Sequence, residues 1–200
     1  MTIVCLGDSL TYGYAVRRRL VWVTLAGRKT GLALVNRGVN GLMTAGMLGL
    51  FNREVAAASA GAVLLMGGAN DILSGLDPAE PLETMREMIR RAREAGILPL
   101  VGIPPPFCPP IRKDWAAMAD FPAMTPVFES YVGLLRSLCA EINCAVVDFR
   151  EGLADRIRKT GLAACSFYGD GVHMNEAGHR VFADVCAAAL REHGLTGTTP

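Results

Sequence analysis

What most constrains the fold of this chain is an alternation: short apolar runs, each followed by a stretch with helical spacing. The runs cover residues 2–6, 32–36, 62–66, 98–103 and 145–149, and the third reads Ala-Val-Leu-Leu-Met without a polar interruption. A strand that is apolar at every position suits burial on both faces, as in a parallel sheet. Parallel neighbours need crossover connections, and the intervening helices supply them. Residues 82–95 carry apolar side chains at 82, 85, 88, 89, 92 and 95, one face of a helix, with Gly96 at the C-terminal cap. The start of that helix stays open between Asp77-Pro78 and Pro81. The last helix follows Asn175, a good cap, and buries Val181, Phe182, Val185, Cys186, Ala189 and Leu190 before Gly194. The expectation is an α/β chain with a five-stranded, doubly wound parallel sheet and helices on both faces.

Two hundred residues, 51% of them hydrophobic and 20% charged, suit one domain over 1–200, with the last few residues a loose tail. A net charge of +1 gives no electrostatic case for nucleic acid. The densest positive cluster, Arg17-Arg18-Arg19, reads as a solvated helix face. No membrane span is expected, because the apolar stretch 55–69 is too short and is broken by Ser59, Gly61, Gly67 and Gly68. The opening MTIVCLGDSL has neither a charged leader nor a long apolar one, which points to the cytoplasm. Cys5, Cys108, Cys139, Cys144, Cys165 and Cys186 follow no metal-like spacing and read as buried thiols, with no metal expected.

In doubly wound sheets, ligands bind outside the carboxyl ends of the strands. Four segments fall there or just before the final helix: Gly7-Asp8-Ser9-Leu10, Gly38 to Gly41, Gly68-Ala69-Asn70-Asp71, and Asp170-Gly171-Val172-His173. Each is weak alone. A serine hydroxyl is a poor nucleophile until a base takes its proton. Of the three histidines, His193 lies at a frayed helix end and His179 inside the last helix as a surface or packing residue. His173 lies in a polar, glycine-rich loop, and Asp170 could accept its other N–H. An oxyanion would need donors: the N–H of Ser9 where strand turns to helix, that of Gly38 or Gly41, and the side-chain amide of Asn70. Asp8 and Asp71 read as braces for their own turns, and Asp148 as a weaker rival to Asp170.

In this order, the four blocks resemble those of the GDSL, or SGNH, hydrolase family, which contribute a serine, a glycine, an asparagine and a histidine. The resemblance runs from Met1 to about Leu190 and is nearest to small bacterial esterases, thioesterases and lysophospholipases. It implies a three-layer flavodoxin-like fold. It also implies Ser9 as nucleophile, His173 as base beside Asp170, and oxyanion donors at Gly41 and Asn70 as well as Ser9. Two departures, Met174 after the histidine and Gly68-Ala69 in place of the commoner Gly-Thr, touch pocket shape and not a catalytic group.

The expected activity is hydrolysis of a small carboxylic ester or thioester, with no cofactor. An acyltransferase or carbohydrate deacetylase with the same site is the alternative. A flavodoxin-like binding protein is a further one, though no G-x-G-x-x-G follows a strand and GDSLTYG is no phosphate cradle. Met43 and Met47, with Leu48 and Phe51 beyond them, are candidates for an acyl pocket of short or medium reach. So are Ile103, Pro104 and Phe107 at the end of the fourth strand. The loop 104–121 reads as a lid or a surface excursion. The oligomeric state is open.

Overall fold

A computed structural model of the chain describes residues 1–196; the loose tail expected at the end falls on 197–200, outside the described residues. Five strands, β1 (Thr2–Gly7), β2 (Ala33–Gly38), β3 (Ala62–Met66), β4 (Leu98–Ile103) and β5 (Ala145–Asp148), form one sheet in the order β2-β1-β3-β4-β5, and every pair is parallel. This is the flavodoxin-like order. The sequence reading holds for β3 and β4 to the residue. β2 runs two residues beyond the expected Asn36, because an edge strand is half-exposed and tolerates the polar Asn36-Arg37 step. Phe149 belongs to the following helix and not to β5, because the Asp148 carboxylate accepts from the Glu151 N–H at 2.8 Å and caps that helix.

The helices are α1 (Ser9–Tyr12), α2 (Trp22–Thr30), α3 (Thr44–Phe51), α4 (Ala69–Leu73), α5 (Ala79–Glu94), α6 (Lys113–Ala116), α7 (Phe121–Glu141), α8 (Phe149–Thr160) and α9 (Glu176–Glu192). Helix α5 starts at the earlier of its two signals, after Pro78, and the chain leaves it through Gly96 at φ +69°. Asn175 caps α9 as expected, its side-chain oxygen accepting from the Ala177 and Gly178 N–H groups. Arg17–Arg19 are exposed, on a single 3-10 turn and its cap rather than on an α-helical face. Among the described residues no helix is long and apolar enough to cross a membrane.

The side chains of each strand alternate between two cores. Val4, Leu6, Val63, Leu65, Val101 and Ile103 face α3, α5 and α7. Ile3, Cys5, Leu64, Met66, Leu100 and Val147 face α2, α8 and α9. The second core is built on aromatic rings: Trp22 lies 5.0 Å from Phe149, which lies 4.6 Å from Phe182. Burying each such ring removes on the order of 2–3 kcal/mol of apolar hydration. His179 belongs to this contact, its Nδ1 accepting from the Trp22 N–H at 3.3 Å. It is a packing residue.

The carboxyl end of β2 abuts α1 so closely that only glycine fits at Gly38. A Cβ there would lie 2.1 Å from the Tyr12 nitrogen and 2.7 Å from the Thr11 carbonyl carbon. Gly38→Ala should therefore push α1 away from the sheet and cost about 2 kcal/mol or more. The urea midpoint should fall, whereas Gly41→Ala, with nothing within 4 Å of its added Cβ and only a φ of +72° to strain it, should cost less.

Candidate active site

Ser9 is presented by a turn that tolerates little change. A Cβ on Gly7 would meet Thr11 Oγ1 at 2.3 Å and the Met66 carbonyl oxygen at 2.4 Å, so glycine is needed where β1 enters α1. Asp8 then caps α1, its Oδ1 accepting from the Leu10 N–H at 2.9 Å. Ser9 is left as the first helical residue, and its N–H has no partner among the described residues.

The Ser9 hydroxyl lies 3.0 Å from His173 Nε2, and His173 Nδ1 lies 2.9 Å from Asp170 Oδ2. The carboxylate assigns the ring proton to Nδ1 and leaves Nε2 to accept from Ser9. Asp170 is anchored in turn: Oδ1 accepts from the Val172 N–H at 3.0 Å and the His173 N–H at 2.7 Å. Burial pushes the Asp170 carboxyl up, but these N–H groups and the facing imidazole outweigh it and hold the carboxyl below its usual value. For His173 the balance differs. Burial lowers its pKa, Asp170 pulls back, and the net position is below the usual 6.5, so the ring is neutral at pH 7.

Two further blocks meet this pair. At the end of β3, the Tyr131 hydroxyl donates to the Gly67 carbonyl at 3.1 Å, and the chain turns through Gly68 at φ +105° into α4. Asn70 donates one amide hydrogen to the Leu42 carbonyl at 3.1 Å, which orients the group and leaves its second N–H uncommitted. Gly41 lines the same cleft, and its N–H has no partner among the described residues. Gly38 does not line it; that glycine serves the packing of α1. Asp71 is a brace, accepting from the Thr44 N–H at 3.1 Å and from Thr44 Oγ1 at 2.6 Å, which fixes the start of α3 behind the Gly41 loop. Asp148 caps α8 and pairs with Arg136 at 2.6 Å, and it does not contact the histidine.

The cleft encloses about 320 Å³. Of the expected wall residues, Met43 and Phe107 line it, but Met47, Ile103 and Pro104 do not. Met47 and Ile103 are wholly buried in the α3–α5–α7 core, because the helical and strand periods turn them to the sheet interior. The same core takes Phe51, while Leu48 packs against its margin. Pro104 offers its carbonyl to Arg150 Nε at 3.1 Å, and the next residue, Pro105, lines the cleft instead. Sequence reasoning missed Tyr14 and Trp115, which flank the imidazole at ring separations of 4.5 Å and 5.2 Å. A lone tryptophan in a polar, proline-bounded segment was the only signal for the second. The 104–121 segment is tied down: the Cys108 N–H donates to the Gly171 carbonyl at 2.8 Å and the Arg112 N–H to the Asp170 carbonyl at 2.9 Å.

A parallel sheet of this strand order, with a serine, a histidine, an acid and free N–H donors gathered at its carboxyl edge, defines a class of ester-cleaving hydrolases. The chain belongs to the GDSL-like Lipase/Acylhydrolase family, whose profile matches residues 5–181. No curated protein matches it. Among solved structures it is similar to a member of the lipolytic protein G-D-S-L family from Veillonella parvula DSM 2008, at 27% identity and a TM-score of 0.76, covering 94% of this chain and 97% of that one. It is also similar in fold to a lipase/acylhydrolase from Enterococcus faecalis (22% identity, TM-score 0.78, 100% and 98% covered). A third is the M. smegmatis aryl esterase (17% identity, TM-score 0.78, 96% and 98% covered).

Asp8, beside Ser9 and almost wholly buried, has no cationic partner among the described residues; burial pushes its carboxyl up to about 7, against the Leu10 N–H, which pulls it down. A raised folded pKa means the folded state holds a proton that the unfolded chain releases near 3.9. That contribution to stability is present at low pH and lost as pH rises through about 7. Asp8→Asn keeps the cap and removes the charge. It should stabilise the protein by roughly 2–4 kcal/mol at pH 8 and change little at pH 4, read from urea midpoints.

Proposed function

We propose that this hydrolase cleaves carboxylic esters or thioesters of short or medium acyl chains through an acyl-enzyme on Ser9. His173 Nε2 takes the hydroxyl proton as Oγ bonds to the acyl carbonyl carbon, and Asp170 stabilises the imidazolium that results. The Ser9 and Gly41 N–H groups and the free Asn70 amide hydrogen receive the negative charge that develops on the carbonyl oxygen. Collapse breaks the bond to the alcohol or thiol, which leaves with the proton from His173. Water, deprotonated by the same nitrogen, then attacks the acyl-enzyme and returns Ser9 with release of the acid.

The observation that carries this reading is the unbroken row from hydroxyl to imidazole to anchored carboxylate, at 3.0 Å and 2.9 Å. The wall supports an uncharged, weakly polar acyl group: beyond the reacting residues it is built of side chains such as Leu10, Met43, Leu73, Phe107 and Phe128, with no Lys or Arg among the described residues lining it. The Enterococcus lipase/acylhydrolase and the M. smegmatis aryl esterase, similar in fold, point the same way. The chain works as one domain over 1–200. Six free thiols suit a reducing compartment such as the cytoplasm.

A fluorophosphonate should label the protein at one site, and Ser9→Ala should abolish both labelling and turnover. Asn70→Ala should remain folded and lose about 10²–10³ in kcat. Full turnover by Ser9→Ala would overturn the mechanism. Across p-nitrophenyl esters from acetyl upward, kcat/KM should rise by up to about fourfold per methylene, the worth of about 0.8 kcal/mol of apolar burial. It should then flatten once the cleft is full. A flat series from the start would remove the acyl-pocket reading.

A further inference from the structure

The Asp170 carboxylate has a second support that comes from neither its own loop nor the histidine. Trp115, on α6, donates its indole N–H to Asp170 Oδ2 at 2.8 Å, the same oxygen that receives His173 Nδ1. With the Val172 and His173 N–H groups on Oδ1, the carboxylate accepts four hydrogen bonds, and its side chain is only 3% exposed. The tryptophan ring also stands 5.2 Å from the imidazole, with Tyr14 edge-on to it at 5.7 Å and against the imidazole at 4.5 Å. The segment that carries Trp115 is bound to the Asp170 loop by backbone hydrogen bonds from Cys108 and Arg112. Gly171, at φ +85°, permits that contact, since a Cβ there would lie 2.8 Å from the Cys108 and Pro110 carbonyl oxygens.

We propose that Trp115 is a positioning residue for the hydrolysis: its indole N–H holds Asp170 in line with His173 and limits how strongly the carboxylate attracts the imidazolium. This rests on the reading of Ser9, His173 and Asp170 as the reacting set. A donor shared onto the oxygen that faces the imidazole takes up part of its negative charge. Removing the donor frees the carboxylate to swing and concentrates its charge on His173. The first effect slows the chemical step; the second raises the pH below which the imidazole is protonated and inactive. Among the described residues, Arg112, with Nη1 3.8 Å from Asp170 Oδ2, and Tyr14 also face this cluster, and Glu176 lines a small pocket with them. His179, on α9, also feels the charge of His173, and burial holds it neutral, down to about 4.

Trp115→Phe keeps a ring against Tyr14 and His173 and deletes only the donor. With a short p-nitrophenyl ester, kcat on the pH plateau should fall about tenfold while KM stays within about twofold, since a charge-assisted hydrogen bond of this kind is lost. The acid limb of kcat/KM should move to higher pH by about half a unit or more. A plateau kcat within twofold of wild type with an unmoved limb would overturn the proposal. So would a rise in KM alone, which would make Trp115 a wall and nothing else. Should the variant fail to fold, the wild type still decides. It has two tryptophans, and Trp22 Nε1 is committed to the Leu10 carbonyl at 3.0 Å. The other indole N–H proton resonance should shift in step with the titration of His173; indifference to that titration would count against the proposal. Ser9→Ala runs in the same assay: turnover surviving there would bring down the underlying mechanism, a failure distinct from that of Trp115.

Discussion

Ser9 and His173 are separated by 164 positions, and their 3.0 Å approach depends on how α9 docks onto the sheet. The docking is a contact of large rings, Trp22 from α2, Phe149 from α8 and Phe182 from α9, with His179 accepting the Trp22 N–H beside them. None of these groups touches the cleft. They fix where α9 begins, and the loop before it, held by the Asn175 cap and the Tyr168–Met174 bridge, delivers the imidazole. A parallel sheet makes the other half of the meeting automatic. Every strand points its carboxyl end the same way, so the turns after β1, β2 and β3 open on one edge.

Much of this is legible in the sequence. Continuous apolar runs marked β3 and β4 because those strands are covered on both sides. The edge strand β2 reads short because its half-exposed end admits asparagine and arginine, which look like loop. Ser9, Asn70, Asp170 and His173 stand out because they are among the few residue types that ester cleavage can use, and they fall at strand ends or just before a helix.

Less legible was everything that depends on which way a side chain turns. Met43 and Met47 are one helical turn apart, yet one lines the cleft and the other fills the core. Ile103 and Phe107 leave the same strand, and only the second reaches the cleft. Trp115 is hard to read for a different reason: its partner lies 55 positions away, and a segment without periodicity gives no hint of what it packs against. Gly38 and Gly41 illustrate the same limit, since two glycines in one hexapeptide do unrelated jobs, close packing for one and an open N–H for the other.

The division of the interior into two cores has an evolutionary consequence. The rings that aim His173 belong to the face built from α2, α8 and α9, whereas Phe107 and Phe128, which line the cleft, pack with the α3–α5–α7 face. The sheet lies between them as a rigid partition. Substitutions at Phe107 and Phe128 can therefore reshape that side of the cleft while the hydrogen bonds that join Ser9, His173 and Asp170 keep their alignment. A lineage built on this plan can vary the mouth of the cleft and hold the row of hydrogen-bonded side chains fixed.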